Sequence, residues 1–213
     1  MEFTKPEVTL LAVTPRAEKL IEEAGRTCYL SLDRIDENSG QGFIRRCIRS
    51  GHHSILEHAS ASFRIMGASR AFTHQLVRHR VASFSQQSQR YVTESEFNYI
   101  IPPDIAAHAD AAAIYRDFIE SARKAYISLR ELGVKKEDAR FVLPNALESQ
   151  IVFSANFREL RHIFALRCDR AAQWEIRGVA LEMLRIMQAE APSVFGDFVI
   201  DEAGRTAHSD LAS

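Results

Sequence analysis

The chain has 213 residues, of which 46% are apolar and 26% are charged, so its composition is that of a globular protein and excludes collagen-like and disordered classes. The 27 Lys and Arg residues nearly balance the 28 Asp and Glu residues, and the resulting net charge of -1 disfavours nucleic acid or an anionic membrane as partner. No apolar run reaches the roughly 18 residues of a membrane span, and the N-terminus lacks an apolar signal region, which predicts a cytoplasmic protein.

The spacing of apolar residues predicts alternating strands and helices in the N-terminal half. Thr14-Pro15 ends the first strand, and Gly51 and Gly67 are predicted to end later elements. In chain order we predict a strand at 8–13, a helix at 17–25, a helix at 43–48, a strand at 55–66 and a helix at 68–77 that leads directly into Arg78-His79-Arg80.

The C-terminal half is predicted to be mostly helical. Pro102-Pro103-Asp104 precedes a long helix, for which we predict an apolar face of Ile114, Phe118, Ala122, Ala125, Leu129 and Leu132. Three later predicted elements are a short helix before Pro144, a strand at 150–154 and a helix at 174–189. Between the strand and the last helix we predict a helix that is capped by Asn156. Its predicted apolar face consists of Leu160, Ile163, Phe164 and Leu166. The polar tail at 201–213 is predicted to fray, and 1–213 is predicted to be a single domain because no linker or repeat interrupts it.

One stretch of the chain carries charge of a single sign. Between Glu57 and Glu94 there is no acidic residue, whereas arginines and histidines recur: Arg64, Arg70, Arg78, Arg80, Arg90, His58, His74 and His79. Guanidinium groups bind phosphate while amides and hydroxyls select a polar ring, so the Arg, Ser and Gln side chains of 78–91 indicate a site for a phosphorylated ligand. The alternative is a solvated helix end followed by a polar loop.

A second cluster contains His52, His53, Glu57 and His58. Its spacing matches no zinc pattern, so no metal is predicted. If this piece is extended, His52 and Ser54 share one face, while His53 and Glu57 share the other. Glu57 is then placed to orient a cofactor or to form an internal hydrogen bond.

Other familiar catalytic patterns are missing from the sequence. Cys28, Cys47 and Cys168 are too scattered for a disulfide framework, and no Ser or Cys lies in a recognisable nucleophile motif. Neither G-x-G-x-x-G nor G-x-x-x-x-G-K-[ST] occurs, which disfavours a dinucleotide fold and a P-loop.

The motif Arg78-His79-Arg80 followed after seven residues by Ser88 resembles the signature of the flavin-dependent thymidylate synthases. The family's upstream H-x-x-x-x-E-H segment is similar to 52–58. Its C-terminal block is similar to Ala139-Arg140-Phe-Val-Leu-Pro, to Asn156-x-Arg158 and to the stretch from Leu166-Arg167 to Gln173-Trp174-Glu175. The similarity extends over most of 51–198.

This resemblance implies the reductive methylation of dUMP to dTMP. It implies methylenetetrahydrofolate as the carbon donor and NADPH as the source of electrons, which pass through tightly bound FAD. It also implies an α+β fold with a central, mostly antiparallel sheet flanked by long helices. The resemblance further implies a homotetramer whose active sites are shared between subunits, and chemistry in which no enzyme cysteine attacks the uracil ring.

The same resemblance implies roles for individual residues. Arg167 is the expected catalytic residue, since an arginine stays cationic at any working pH and stabilises a developing uracil anion. His52 is expected near the flavin and the folate. The residues expected to bind dUMP are Gln75, Arg78, Gln86, Gln87, Ser88, Gln89, Arg90, Arg140 and Arg167. The residues expected to bind FAD are Ser54, Glu57, Arg78, His79, Arg80, Gln86, Asn156, Arg158 and His162.

The chain departs from the family pattern at three places, one of which is a pair of residues. Ser85-Gln86 stands where many members have Asn-Glu, His162 where some have Asn, and Ala171 where some have His. Gln86 keeps an acceptor but loses a negative charge, and His162 keeps the ability to hydrogen-bond a cofactor.

The residues by themselves leave two other functions open. A non-catalytic nucleotide- or RNA-binding regulator would use the same Arg, Gln and Ser loop, although the low net charge and the few aromatic residues, Phe84 and Tyr91, count against RNA. A metal-dependent nucleotide hydrolase would use His52, His53 and His58 and would need a stoichiometric metal.

Overall fold

A computed structural model describes residues 6–92 and 94–211, which mix helices and strands and confirm the predicted α+β class. The strands are β1 (Glu7–Val13), β2 (Ser60–Ser69), β3 (Ala82–Gln86), β4 (Glu148–Asn156), β5 (Phe198–Asp201) and β6 (Thr206–Ser209). The first four form one sheet in the order β1-β2-β4-β3, and β5 pairs antiparallel with β6.

The helices are α1 (Ala17–Thr27), α2 (Ser39–Arg49), α3 (Arg70–Leu76), α4 (Pro103–Ala106), α5 (Ala109–Glu131), α6 (Lys136–Ala139), α7 (Phe157–Arg167), α8 (Trp174–Glu190) and α9 (Pro192–Phe195). Short 3₁₀ turns lie at Leu32–Arg34, His53–His58 and Arg140–Val142. Side chains define the starts of the two long C-terminal helices, because Asn156 caps α7 as predicted and Gln173 caps α8. None of the described helices is both long and apolar enough to cross a membrane.

The chain divides into two compact units. The described part of the first unit consists of 6–7, Ile65–Gln75 and Ser85–Ile151, and that of the second consists of Val8–Arg64, Leu76–Phe84 and 152–211. The assignment of 1–213 to a single domain stays a prediction.

The first unit has a core in which α5 takes part through Ile119, packed with Phe97 and Leu147. The predicted apolar face of the long helix was largely wrong: Ala122 is buried as predicted, but Ile114 is 72% exposed and Phe118 is 57% exposed. Apolar residues occur on more than one side of α5, so periodicity alone could not select the side that is buried.

The second unit is built around buried phenylalanines. The ring of Phe195 lies edge-on to Phe157 at 5.2 Å and to Phe164 at 5.7 Å, which locks α9 onto α7. The burial of Leu160 and Phe164 on α7 was predicted correctly, whereas Leu166 is half-exposed and that part of the prediction was wrong. Six residues after Leu160, the helix has turned this side chain away from the buried face.

The predicted bounds of the strand before the Arg-rich segment were wrong. The strand expected at 55–66 begins only at Ser60, because His53–His58 forms a 3₁₀ turn, and it continues through Gly67 to Ser69. The face-sharing expected for an extended His52 to Glu57 therefore does not occur. The helix predicted at 68–77 is confirmed as α3, which begins at Arg70 and ends at Leu76, and β3 follows within the Ser/Gln-rich stretch.

The expectation of a frayed C-terminal tail was also wrong for most of its length. Residues 198–209 form the β5–β6 hairpin, in which Asp201 pairs with Thr206. Phe198 and Ala207 of this hairpin are buried, and the Phe198 ring lies edge-on to Phe164 of α7, a contact that the sequence pattern of the tail does not reveal. Ala212 and Ser213 lie outside the described residues.

Candidate active site

His79 lies at the centre of a buried polar group in the second unit, with only 5% of its surface exposed. Its ring contacts both ends of α7: Nδ1 is 3.3 Å from Oε1 of Glu159, and Nε of Arg167 donates to Nε2 at 3.0 Å. The His162 ring lies edge-on to it at 6.0 Å between centroids. Burial lowers the pKa of His79 to about 4, and the positive charges of Arg167 and His162 act in the same direction. The imidazole is therefore neutral at pH 7.

Three arginines border a cavity of about 620 Å³ beside this group. Arg78 and Arg80 flank His79 in sequence and are exposed, and Arg167 comes from the end of α7. Leu166 and His162 complete the lining. A cavity with this much positive charge and no acidic group among its lining residues favours an anionic or electron-rich ligand.

A cavity of about 540 Å³ in the same unit collects four of the predicted FAD-binding residues: Glu57, Asn156, Arg158 and His162. Arg158 Nη1 donates to Glu57 Oε1 at 2.5 Å, and both side chains are about half-exposed. The Oδ1 of Asn156 accepts the backbone N–H of Glu159 at 2.9 Å, so this oxygen serves as the helix cap. Leu56 and Phe198 give the cavity apolar walls.

His52 and Ser54 line a third cavity of the second unit, of about 380 Å³, together with Arg158. Cys47 also lines it, and burial raises the pKa of its thiol. Burial raises the pKa of Cys168 to about 12. A raised pKa keeps a thiol protonated at neutral pH, and a protonated thiol is a poor nucleophile.

Several predicted dUMP-binding residues lie in the first unit, where two of the glutamines have partners within the protein. Gln86 Nε2 donates to Oγ1 of Thr73 at 2.8 Å and approaches Oγ of Ser149 at 3.4 Å. Gln87 Nε2 donates to Oε1 of Glu94 at 3.1 Å. Both side chains therefore help to hold the loop after β3 in place.

Arg90 and Arg140 both contact Glu137 in the first unit, and Ser88 contacts the backbone of Arg90. Arg90 Nη2 lies 3.3 Å from the Glu137 carboxylate, and Arg140 Nε donates to the Glu137 carbonyl oxygen at 3.1 Å. Ser88 Oγ accepts the backbone N–H of Arg90 at 3.3 Å. Arg140 lies about fifty residues after Arg90 in the sequence, but in the fold both side chains contact Glu137. The remaining predicted residues of this unit are partly buried: Gln75 donates to the Ala71 carbonyl oxygen at 3.4 Å, and Gln89 lies in the loop.

Sequence reasoning missed Arg70 as a member of this group. Arg70 Nη1 donates to the carbonyl oxygen of Gln87 at 3.3 Å. Burial lowers the pKa of Arg70, the charge of Arg140 lowers it further, and Glu94 opposes both. Arg70 was visible in the acid-free stretch, but nothing in its spacing distinguished it from Arg64.

Glu159 was missed as well. Its place three residues after Asn156 is a usual position for an acidic residue near a helix start, which gave no hint of a contact with His79. Among the residues that the structure describes, no three His, Cys, Asp or Glu side chains are close enough to hold a metal ion.

Comparison with known proteins gives this site its context. A family model described as thymidylate synthase complementing protein matches residues 9–193. A flavin-dependent thymidylate synthase from Geobacter sulfurreducens is 44% identical over 199 residues, which cover 90% of this chain and 86% of the relative. The chain belongs to the flavin-dependent thymidylate synthase family. The predicted family and the predicted enzyme class are thus confirmed.

Other flavin-dependent thymidylate synthases match the chain to a similar extent. The relative from Nitratidesulfovibrio vulgaris is 45% identical over 214 residues, covering 92% of this chain and 87% of its own length. The relative from Mycobacterium tuberculosis is 40% identical over 212 residues, covering 92% of this chain and 85% of its own. The family model, which matches residues 9–193, covers both the Arg78-His79-Arg80 segment and α7.

Proposed function

We propose that the protein converts dUMP to dTMP by reductive methylation, with methylenetetrahydrofolate as carbon donor and NADPH-reduced FAD as hydride source. The observation that carries this proposal is the contact of Arg167 with His79 at a cavity that Arg78 and Arg80 also border. The family motif and the proposed catalytic arginine thereby belong to one site.

The residues of the second unit fit a flavin dinucleotide. Such a ligand carries flat rings and a diphosphate, which need apolar walls and guanidinium groups. Leu56 and Phe198 provide the walls of the 540 Å³ cavity, and Arg158 provides a guanidinium. We assign FAD binding to Ser54, Glu57, Arg78, His79, Arg80, Gln86, Asn156, Arg158 and His162, with His52 near the flavin and the folate. When bound, the flavin supplies the hydride.

The first unit offers groups that suit the phosphate and uracil of dUMP. Arg90 and Arg140 share Glu137, and Arg70 adds a third cation in the electrostatic range of Arg140. Guanidinium groups bind phosphate oxygens in a bidentate manner. We assign dUMP binding to Gln75, Arg78, Gln86, Gln87, Ser88, Gln89, Arg90, Arg140 and Arg167.

Arg167 is the proposed catalytic residue. Its guanidinium stays cationic and needs no proton transfer to stabilise the negative charge that develops when the uracil ring loses its N–H proton. His79 accepts a hydrogen bond from Nε and so orients the guanidinium plane. Arg78 and Arg80 add positive potential at the same cavity.

The visible absorption spectrum tests the proposed function. We expect freshly purified protein, or protein given FAD, to show a flavin spectrum that NADPH bleaches under anaerobic conditions. We expect dUMP to change the bleaching rate and dTMP to form when methylenetetrahydrofolate is added. A colourless protein that takes up no FAD would contradict the proposal and would favour a nucleotide-binding regulator, for which salt-dependent RNA binding without flavin is the matching result.

We also propose a cytoplasmic homotetramer with active sites shared between subunits and with no nucleic-acid or membrane partner. The exposed Ile114 and Phe118 on one side of α5 support an interface between copies. We expect Phe118→Glu to lower the mass measured by light scattering, whereas Lys124→Glu on the same helix leaves it unchanged. A tetramer of unaltered mass in Phe118→Glu would exclude this side of α5 from the interface.

A further inference from the structure

Glu159 is a buried carboxylate for which the proposed reaction has no role. It is 9% exposed and lies in the first turn of α7, whereas Arg167 lies in the last turn. The His79 ring spans the distance between them, with Nδ1 near Glu159 and Nε2 near Arg167. One imidazole thus connects a buried carboxylate to the proposed catalytic arginine.

The donors and acceptors of these three side chains fit in only one way. An arginine has five N–H donors and no acceptor, so the Nε2 of His79 must be unprotonated to accept the Nε–H of Arg167. A neutral imidazole then carries its single proton on Nδ1. The nearest Glu159 oxygen lies 3.3 Å from Nδ1, and a carboxylate is an acceptor.

We propose that Glu159 is a positioning residue that acts through His79, by selecting the tautomer whose Nε2 accepts the Nε–H of Arg167. Without an acceptor near Nδ1, the tautomer that carries its proton on Nε2 becomes available. Its Nε2–H then faces the Nε–H of Arg167, and two donors cannot form a hydrogen bond with each other. The guanidinium then loses the hydrogen bond that Nε makes with His79. This inference rests on the proposed function, because it assigns Arg167 the role of acting on the substrate.

The rival explanation is structural. An acidic residue in the first turn of a helix interacts favourably with the helix dipole, and Glu159 takes part in the cap through the contact between its N–H and Asn156. That explanation predicts a change in stability without a change in the His79 tautomer. It also predicts that the effects of Glu159→Ala and His79→Gln on kcat are independent of each other.

Two substitutions of Glu159 separate these explanations. We expect Glu159→Ala to lower kcat at least tenfold while the KM for dUMP changes less than threefold. We expect Glu159→Gln to stay within about threefold of wild type, since an amide oxygen also accepts the Nδ1–H. In a His79→Gln background, Glu159→Ala should lower kcat less than twofold further, because the effect runs through the imidazole.

Glu18→Ala is the matched control. Glu18 accepts the backbone N–H of Ser193 at 2.6 Å and its hydroxyl at 2.7 Å, so this glutamate supports the start of α9 in the same unit. Its loss should lower the thermal midpoint and leave kcat unchanged. A fall in kcat as large as that of Glu159→Ala would overturn the inference.

The His79 tautomer gives a readout that does not depend on turnover. In ¹⁵N-histidine-labelled protein at pH 7, with the His79 signals identified by their loss in His79→Gln, we expect a protonated Nδ1 and an unprotonated Nε2. Glu159→Ala should shift this population toward Nε2–H. A wild-type His79 that is protonated on Nε2 would overturn the inference, and this result does not depend on how well a variant folds. A His79 tautomer that is the same in Glu159→Ala as in wild type would also overturn it. A wild-type protein that makes no dTMP would contradict the proposed function instead.

Discussion

Arg167→Ala is expected to lower the rate of dTMP formation by about 10²–10³-fold, which is the usual cost of removing one group that stabilises a developing anion. The alanine variant loses both the cation and the hydrogen bond to His79. It leaves Arg78 and Arg80 at the cavity, so FAD should stay bound. The measurements are kcat with all substrates saturating and the ratio of flavin absorbance to protein.

Two further substitutions make this result specific. Arg167→Lys keeps a positive charge but loses the planar fork and the Nε–H, so we expect it to recover only part of the rate. Arg185→Ala removes an arginine of the same unit whose partners, Glu182 and Glu202, lie outside the cavities described above. It should keep wild-type turnover. Normal turnover by Arg167→Ala with bound flavin would exclude the catalytic role.

Asp197→Ala is expected to lower the free energy of unfolding by about 3–5 kcal/mol, because it leaves the largely buried charge of Arg161 without its negatively charged partner. Arg161 donates hydrogen bonds to both carboxylate oxygens of Asp197, at 2.6 and 2.8 Å, and the Ser209 hydroxyl donates to the same carboxylate at 2.5 Å. Arg161 also donates to the carbonyl oxygen of Val194. This network ties the β5–β6 hairpin to α7 and α9. Urea unfolding at a fixed protein concentration measures the loss.

Glu202→Ala is the control for that stability measurement. Glu202 pairs with Arg185 at 2.7 Å, but its side chain is largely exposed, and exposed ion pairs contribute about 0–1 kcal/mol. Its loss should therefore be small. Equal losses in the Asp197 and Glu202 variants would contradict the importance that we assign to the buried pair.

The contribution of Asp197 also has a defined pH dependence. Burial favours the neutral carboxyl, but the hydrogen bonds from Arg161 and Ser209 outweigh it and hold the pKa of Asp197 below the usual value of 3.8. A carboxyl whose pKa is lowered by folding stabilises the folded state above its unfolded pKa, and this contribution disappears as the pH falls through the folded pKa. The stability difference between wild type and Asp197→Ala should be constant above about pH 5 and shrink below 3.8.

The amino-acid sequence by itself determined the features that depend on near neighbours. The cap at Asn156, the start of α8 at Trp174 and the buried positions Leu160 and Phe164 follow from capping chemistry and the helical period. The family could also be recognised, because the Arg78-His79-Arg80 motif and the Ser88 that follows it at a fixed spacing lie in one short segment of the chain. These signals act over a few residues and need no knowledge of the tertiary structure.

Only the tertiary structure decided which distant residues meet. Arg167 and His79 lie 88 positions apart, and Arg90 reaches Glu137 from a different segment of the chain. No periodic pattern encodes such pairs, since they depend on how the strands and helices return the chain to one place. The same reason explains the errors at α5 and at the β5–β6 hairpin. The buried side of a helix, and the partners that order a polar tail, are set by packing against elements far away in the sequence.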